Sequence, residues 1–244
     1  MKVTLAPTNN FIINKIYTAA HTCYSGEDPD IIFQRSLSMT KESMLKTIKH
    51  CLNSGHQSVV EHQSFMFFIS GVSRALTHQL VRHRLASYSQ QSQRYCKLKP
   101  EEQFKFVVPP SIEKSTALDE YMDFMEDCKR MYNYLIEAGI PAEDARYVLP
   151  NASCTNITVT MNLRQLMHFC NERMCLTAQW EIREMTRLMY NEITKVLGPE
   201  LSKYIGPKCK ALGYCPETKK RSCGAYKTRG EVLKENRDVQ SELG

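Results

Sequence analysis

Apolar side chains recur at helical spacing in three long segments, and this periodicity limits the fold more strongly than any other feature of the sequence. The first segment begins after Thr40, a typical helix N-cap, and ends at Gly55, which can adopt the left-handed conformation that stops a helix. The second lies within residues 112–139, and the third covers residues 163–197, with an interruption expected near 175–177. We therefore expect the chain to fold around long amphipathic helices.

Short runs of β-branched and aromatic residues separate the helical segments and predict strands. These runs are SFMFFIS (64–70), FKFVVPP (104–110) and CTNITVTM (154–161). A further helix is predicted over residues 72–83, and no repeat or linker divides the chain before residue 206, so we expect one α+β domain over residues 1–206. Beyond it the sequence becomes polar and basic, and we expect residues 207–244 to form a weakly ordered, cysteine-bearing extension.

The composition is that of a globular protein, with 42% hydrophobic and 24% charged residues in a chain of 244. No apolar run approaches the roughly 18 residues of a membrane span, and the N-terminus lacks a signal-like pattern. Most of the ten cysteines, among them Cys51, Cys128 and Cys170, lie in periodic apolar segments, where a reduced thiol packs as a small hydrophobic group. We therefore expect a cytoplasmic protein with reduced cysteines.

Two groups of potential metal ligands lack the spacing of familiar metal sites. The segment HQSVVEH (56–62) contains two histidines but not the HExxH pattern of zinc proteases. In the extension, Cys209, Cys215 and Cys223 occur without any CxxC pair. From the sequence we therefore expect no metal, and structural or substrate-binding roles for the histidines.

The segment RHRLASYSQQSQRY, residues 82–95, carries the strongest chemical signal. Each of its three arginines, Arg82, Arg84 and Arg94, can donate two parallel hydrogen bonds to phosphate oxygens. Serine hydroxyls stand between them, and the segment lacks the Lys, Asp and Glu that usually accompany arginine on a solvated surface. We therefore predict an anion site, which at a net charge of +6 suits a small anionic ligand at least as well as nucleic acid.

Common phosphate-binding and nucleophile motifs are absent from the sequence. There is no glycine-rich P-loop, no Rossmann fingerprint and no GxSxG elbow, so side chains rather than a glycine loop must hold the phosphates. Ser92 lies among arginines, which keep their protons at neutral pH and cannot act as its base. A nucleophilic Ser92 would therefore need a base from elsewhere in the fold.

RHRLASYSQQSQR (82–94) matches in full the pattern RHR, two residues, Ser, four residues, Ser, one residue, Arg, and thereby resembles the flavin-dependent thymidylate synthase family. Other segments resemble that family in the same order: GHQSVVEH (55–62), HQLVRHR (78–84), ARYVLPNA (145–152), NLRQLMHF (162–169) and NERMCLTAQWEIR (171–183). The resemblance covers residues 55–183 and leaves the chain after residue 206 unassigned.

The resemblance implies a fold with a small, mainly antiparallel sheet flanked by long helices, and makes residues 1–206 the catalytic domain. It implies reductive methylation of dUMP to dTMP, in which 5,10-methylenetetrahydrofolate donates the carbon and FAD reduced by NADPH donates the hydride. It also implies a cytoplasmic homotetramer whose active sites are shared between subunits, with no nucleic acid or membrane partner.

The resemblance further assigns roles to single positions. Those that match dUMP ligands are Gln79, Leu80, Val81, Arg82, Gln90, Gln91, Ser92, Gln93, Arg94, Tyr95, Arg146 and Arg173. Those that match FAD ligands are His56, Ser58, Arg82, His83, Arg84, Asn162, Leu163, Arg164 and His168. Arg173 also matches the catalytic arginine that favours ionisation of the uracil N3, so no covalent cysteine adduct is expected. Gln90 stands where some members have glutamate, which leaves open whether this position has an acid–base role.

Two other classes of protein remain compatible with the residues. A nucleic-acid-binding module would use the basic loop and extension, although their aromatic residues are not interleaved as a stacking platform. A flavoprotein oxidoreductase that acts on something other than a nucleotide is the nearer alternative. Salt-dependent oligonucleotide binding without flavin would favour the nucleic-acid-binding module. NADPH oxidation that does not depend on dUMP would favour the other oxidoreductase.

Overall fold

The computed structural model describes residues 1–8, 10–98 and 104–242, with side chains as far as Glu235. The chain forms two compact units. Unit 1 comprises Met1–Thr4 and Met66–Val159, and unit 2 comprises Leu5–Phe65 and Thr160–Gly244. Residues 243 and 244, the end of the expected extension, lie outside the described residues.

Four antiparallel strands form one sheet. The strands are β1 (Lys2–Leu5), β2 (Ser64–Ser73), β3 (Ser87–Gln90) and β4 (Cys154–Asn162). Their order in the sheet is β1-β2-β4-β3, so the two short strands lie at the edges. Alternate residues of β2 are buried, as expected for a strand with one face on the core.

Helices make up most of the remaining described chain. The α-helices are α1 (Ile12–Thr22), α2 (Pro29–Ser36), α3 (Lys41–Asn53), α4 (Arg74–Leu80), α5 (Pro110–Glu113), α6 (Leu118–Glu137), α7 (Ala142–Ala145), α8 (Leu163–Arg173), α9 (Trp180–Leu197), α10 (Pro199–Ser202), α11 (Lys208–Leu212) and α12 (Arg229–Glu242). Short 3-10 helices span Gln57–His62 and Arg146–Val148. The predicted α+β class is confirmed.

The long periodic segments fold as the sequence predicts. The Thr40 side chain accepts a hydrogen bond from the backbone N–H of Ser43 (3.3 Å) at the start of α3, and Gly55 follows the helix with a φ of +82°. The third segment breaks between α8 and α9, and Gly198 caps α9 with a φ of +72°. Local signals were sufficient here because caps and periodicity act within a few residues of one another.

Three local predictions need correction. The predicted strand at 104–110 is wrong: Phe106 makes only an isolated bridge to Ser153, and the two prolines that follow cannot donate to a ladder. The predicted helix at 72–83 is shorter, because the Ser73 side chain caps α4 by accepting from the N–H of Leu76 (2.9 Å). The strand β3 lies inside the motif that we expected to be a loop. It was missed because its sequence, SYSQ, has no apolar alternation.

The cysteines of the periodic helices are buried, as expected. Cys51, Cys128 and Cys170 pack in the cores, and burial raises the pKa of the Cys170 thiol to about 12. Such a thiol stays protonated at physiological pH and acts as a small hydrophobic side chain.

The extension, for which the polar sequence suggested weak order, contains α11 and α12. Between them an isolated bridge pairs Cys215 with Thr228. None of the described helices is long and apolar enough to cross a membrane.

Candidate active site

The arginine-rich motif of unit 1 starts where α4 ends. The Tyr88 hydroxyl lies within hydrogen-bond distance of the backbone carbonyls of Leu80 (3.0 Å) and His83 (2.6 Å) and so ties β3 to the turn that follows α4. This folds the RHR turn, with Arg82 and Arg84 exposed to solvent. Both guanidiniums are available for an anionic ligand.

Strand β3 makes the middle of the motif an edge strand of the sheet. The N–H of Gln91 donates to the carbonyl of Asn156 (2.9 Å), and the Gln90 side chain donates to the Thr77 hydroxyl (3.0 Å). Gln90 is thus tied to α4 as an amide donor. Its observed contact is a structural one.

Three arginines of unit 1 lie near one another, and we name Arg74, Arg94 and Arg146 the arginine cluster: Arg94 and Arg146 both contact Glu143, and Arg74 lies near Arg146. The Arg94 Nε lies 2.5 Å from the Glu143 carboxylate, and the Arg146 Nε donates to the Glu143 carbonyl (3.0 Å). Burial and then the nearby charge of Arg146 lower the pKa of Arg74. Three cations beside one carboxylate leave an excess of positive charge, which favours binding of an anion.

A cavity of about 750 Å³ opens in unit 1 beside the second half of the motif. Gln91, Ser92 and Gln93 line it, and Lys2 and Lys105 add positive charge to its wall. Its volume falls within the range of small-molecule sites. Three of the positions predicted to contact a nucleotide therefore face one cavity.

A second group of predicted residues lies in unit 2, where α8 contacts the 3-10 helix at Gln57–His62. Arg164 pairs with Glu61, and His168 stands one turn further along the same exposed face of α8. His56 and Ser58 are exposed at the start of the 3-10 helix. We name His56, Ser58, Arg164 and His168 the unit 2 donor group.

Three predicted ligands of the two units have structural tasks. The Leu80 and Leu163 side chains are buried in the cores, so only their backbones could reach a ligand. The Asn162 side chain caps α8 by accepting from the N–H of Gln165 (2.9 Å). Sequence similarity alone does not separate such positioning residues from true contacts.

Arg173, the predicted catalytic residue, is the last residue of α8 and is half-buried. It lines a smaller cavity of unit 2 together with residues of the extension, among them Lys208 and Arg221. The other predicted dUMP positions belong to unit 1. Of the predicted FAD positions, Arg82, His83 and Arg84 belong to unit 1, and all others belong to unit 2.

Sequence reasoning missed two members of the site in unit 1, Arg74 and Glu143. Arg74 follows the Ser73 cap directly, and its N–H donates to the Ser153 carbonyl (3.1 Å), which fixes the start of α4 beside β4. An arginine between a strand and a helix cap was the available signal, because the end of a strand is a frequent place for binding residues. No local sequence pattern indicated a role for Glu143.

Comparison with known proteins gives consistent matches. The family model described as thymidylate synthase complementing protein (Thy1) matches residues 9–198, well over half of the chain. A flavin-dependent thymidylate synthase of Nitratidesulfovibrio vulgaris is 45% identical over 228 residues, which are 89% of this chain and 91% of that protein. A flavin-dependent thymidylate synthase of Pyrococcus horikoshii is 50% identical over 188 residues, 75% of this chain and 77% of that protein.

A solved structure shares the fold. It is that of a UMP/dUMP methylase, PolB from Streptomyces cacaoi, bound with 5-Br dUMP. It superposes with a TM-score of 0.70 at 22% identity and covers 84% of this chain and 97% of that one. At this identity the likeness concerns the fold alone.

Proposed function

The chain belongs to the thymidylate synthase complementing protein (Thy1) family of flavin-dependent thymidylate synthases, and from this premise we propose that it methylates dUMP to dTMP. The enzyme is a methyltransferase and a flavoprotein of nucleotide biosynthesis. We further propose that 5,10-methylenetetrahydrofolate supplies the carbon, that NADPH supplies the electrons, and that residues 1–206 form the catalytic domain.

The observation that carries this proposal is the arginine cluster beside the motif. A phosphomonoester carries a charge of about −1.5 to −2 at neutral pH, which matches the excess of three guanidiniums over one carboxylate. We assign Arg74, Arg94 and Arg146 to the dUMP phosphate. We assign Ser92 and its neighbours in the cavity to the rest of the nucleotide, as donors and acceptors that orient it.

The residues present fit FAD. The unit 2 donor group offers a guanidinium, two imidazoles and a hydroxyl, all exposed to solvent, and such donors suit an anionic diphosphate. Arg82 and Arg84 in unit 1 are exposed donors of the same kind. When bound and reduced, the flavin supplies the hydride of the reaction.

Arg173 is proposed to activate the pyrimidine. Methylation at C5 of uracil requires electron density on that carbon, and a fixed cation near the N3–O4 edge stabilises the anion that provides it. Arginine keeps its proton at every physiological pH and so offers a permanent charge. In this mechanism no cysteine adds to the ring.

The state of the thiols also supports a cytoplasmic location for the enzyme. All ten cysteines lie in the described part of the chain, and none of them forms a disulfide bond. A reducing compartment keeps such thiols from pairing.

The absorption spectrum of the purified protein tests the proposal. After incubation with FAD and desalting, we expect flavin to remain bound, to be bleached by NADPH under anaerobic conditions, and to change its spectrum when dUMP is added, because the nucleotide then lies beside the flavin ring. Chromatography of the mixture with methylenetetrahydrofolate added is expected to show dTMP.

Three results would contradict this proposal in different ways. Folded protein that retains no flavin would reduce the motif to a phosphate-binding loop. NADPH oxidation that proceeds at the same rate with and without dUMP would indicate an oxidoreductase for another substrate. Bound flavin with no dTMP formed would indicate that the protein binds the cofactor but does not catalyse the methylation.

We also propose that the enzyme is a homotetramer with shared active sites. Met66 and Phe68 lie on one exposed face of β2, and Phe124 and Met131 lie two turns apart on one exposed face of α6. Apolar side chains grouped on a surface in this way are typical of protein interfaces. Light scattering is expected to give four chains per particle, and a monomer that forms dTMP at full rate would contradict the shared sites.

A further inference from the structure

The extension has an ordered path but almost no core of its own. Among its described side chains, residues 207–235, only Cys215 and Thr228 are buried. Backbone hydrogen bonds join the segments around these two residues. The N–H of Cys215 donates to the Lys227 carbonyl (2.8 Å), and the N–H of Arg229 donates to the Cys215 carbonyl (3.1 Å). A segment of this size with so little buried apolar surface usually needs a covalent or metal crosslink to hold its fold.

Surface ion pairs do not supply that stability. Within the extension Lys219 pairs with Glu231 and Lys227 with Glu235, and Lys208 pairs with Glu172 of α8; all three pairs are exposed to solvent. Exposed pairs of this kind contribute about 0–1 kcal/mol each. Another interaction must therefore hold the extension in place.

Four of the ten cysteines line one cavity of unit 2, with a volume of about 130 Å³. They are Cys175, just after α8, and Cys209, Cys215 and Cys223 of the extension. All four therefore line the same small space, although they come from two separate segments of the chain. The spacing in sequence did not suggest such a group because its fourth member lies 34 residues before Cys209.

Charged side chains surround this cysteine group. Three cations, Arg173, Lys208 and Arg221, and two carboxylates, Glu172 and Glu217, line the same cavity, and Lys208 pairs with Glu172. The excess of one cation lowers the cost of deprotonating a thiol. Two disulfides could also use four sulfur atoms, but none of these cysteines is in a disulfide, whereas a tetrahedral zinc ion takes four thiolates. Four sulfurs on one small cavity therefore favour a metal ion over a disulfide.

We propose that Cys175, Cys209, Cys215 and Cys223 bind one thiophilic divalent cation of the zinc class, which fixes the extension to the end of α8. In the described part of the chain no three ligating side chains yet stand at metal-binding separation. Rotation about χ1 moves a cysteine sulfur by roughly 3 Å between staggered rotamers, so the sulfurs can turn inward when the ion binds. Binding releases the four thiol protons to solvent and forms four metal–sulfur bonds.

The site would also position the proposed catalytic arginine, a consequence that rests on the proposed function. Arg173 lies two residues before Cys175 and lines the same cavity. An ion at the four sulfurs would restrict the backbone that follows α8 and thereby the direction of the guanidinium. The metal site itself is measured without substrate, so its test is independent of the activity.

Metal analysis of protein purified without chelators tests the proposal. We expect about one zinc ion per chain in the parent protein and in Cys23→Ser, an exposed cysteine outside the cavity. Cys209→Ser and Cys223→Ser are expected to lose the zinc and to unfold at a lower temperature. Equal zinc content in all four proteins would overturn the proposal.

A second measurement on the parent protein covers the case in which the variants do not fold. Under native conditions, a strong chelator is expected to make four more thiols react with a thiol reagent. Parent protein that holds no metal and does not take up added Zn²⁺ would overturn the site. Metal-free protein with two thiols fewer than its reduced form would assign the cavity to a disulfide instead.

Discussion

Arg173→Ala is expected to lower kcat by about 100- to 1,000-fold while dUMP binding is partly retained, because the variant removes a charge that stabilises the reacting pyrimidine. Ser92→Ala removes one neutral hydrogen bond to the bound nucleotide, and its cost is expected to be about tenfold or less. Steady-state kinetics with varied dUMP separates the two effects, since the first appears in kcat and the second mainly in KM. Arg173→Lys keeps the charge and is expected to recover part of the rate.

Arg187→Ala is the control for the loss of an arginine from unit 2. Arg187 is exposed on α9, pairs with Glu184 and is not one of the predicted site positions. Its removal is expected to leave kcat unchanged. An inactive Ser92→Ala variant beside an active Arg173→Ala variant would contradict the assigned roles, because it would make the serine the essential group.

Arg94→Ala is expected to raise the KM for dUMP by about 10- to 150-fold, the cost of losing a charge-assisted hydrogen bond of about 1.5–3 kcal/mol. The reason is the position of Arg94 in the arginine cluster, where it contacts Glu143 and adds to the positive charge beside the cavity. Arg94→Lys retains the charge but not the planar pair of donors, so its KM is expected to lie between those of the parent and Arg94→Ala.

A matched control comes from the same unit. Arg130 is exposed on α6 and pairs with the carboxylate of Asp127, much as Arg94 pairs with Glu143. Arg130→Ala therefore removes an arginine–carboxylate pair without touching the cluster, and its KM is expected to equal that of the parent. An unchanged KM in Arg94→Ala, in protein that retains flavin, would exclude Arg94 as a phosphate ligand.

The helices were predictable from the sequence because their signals are local. The Thr40 cap and the Gly55 stop lie at the two ends of α3, and the apolar stripe between them recurs every three or four residues. The strand at 154–161 was predictable for a similar reason, since β-branched residues fill it. By contrast, β3 is polar, and its strand conformation depends on pairing with β4, which local sequence does not reveal.

The candidate site was predictable only in part. The arginine-rich composition of the motif predicts an anion site, and the ordered resemblance of several segments identifies the family. Leu80, Leu163 and Asn162 show the limit of that resemblance, because the structure gives two of them buried side chains and the third a helix cap. A sequence match shows that a residue of the family pattern is present at a position, but it does not show what that residue contacts.

By itself, the sequence determined the helical segments, the anion-binding motif and the family, because each depends on residues that are close together in the chain or arranged in a fixed order. Only the tertiary structure decided which distant side chains meet. It brought Arg94 and Arg146 together on Glu143, with Arg74 near Arg146, and it gathered Cys175 with three cysteines of the extension. Such groups form when packing brings separate segments into contact, and the spacing of the residues in the sequence does not predict that contact.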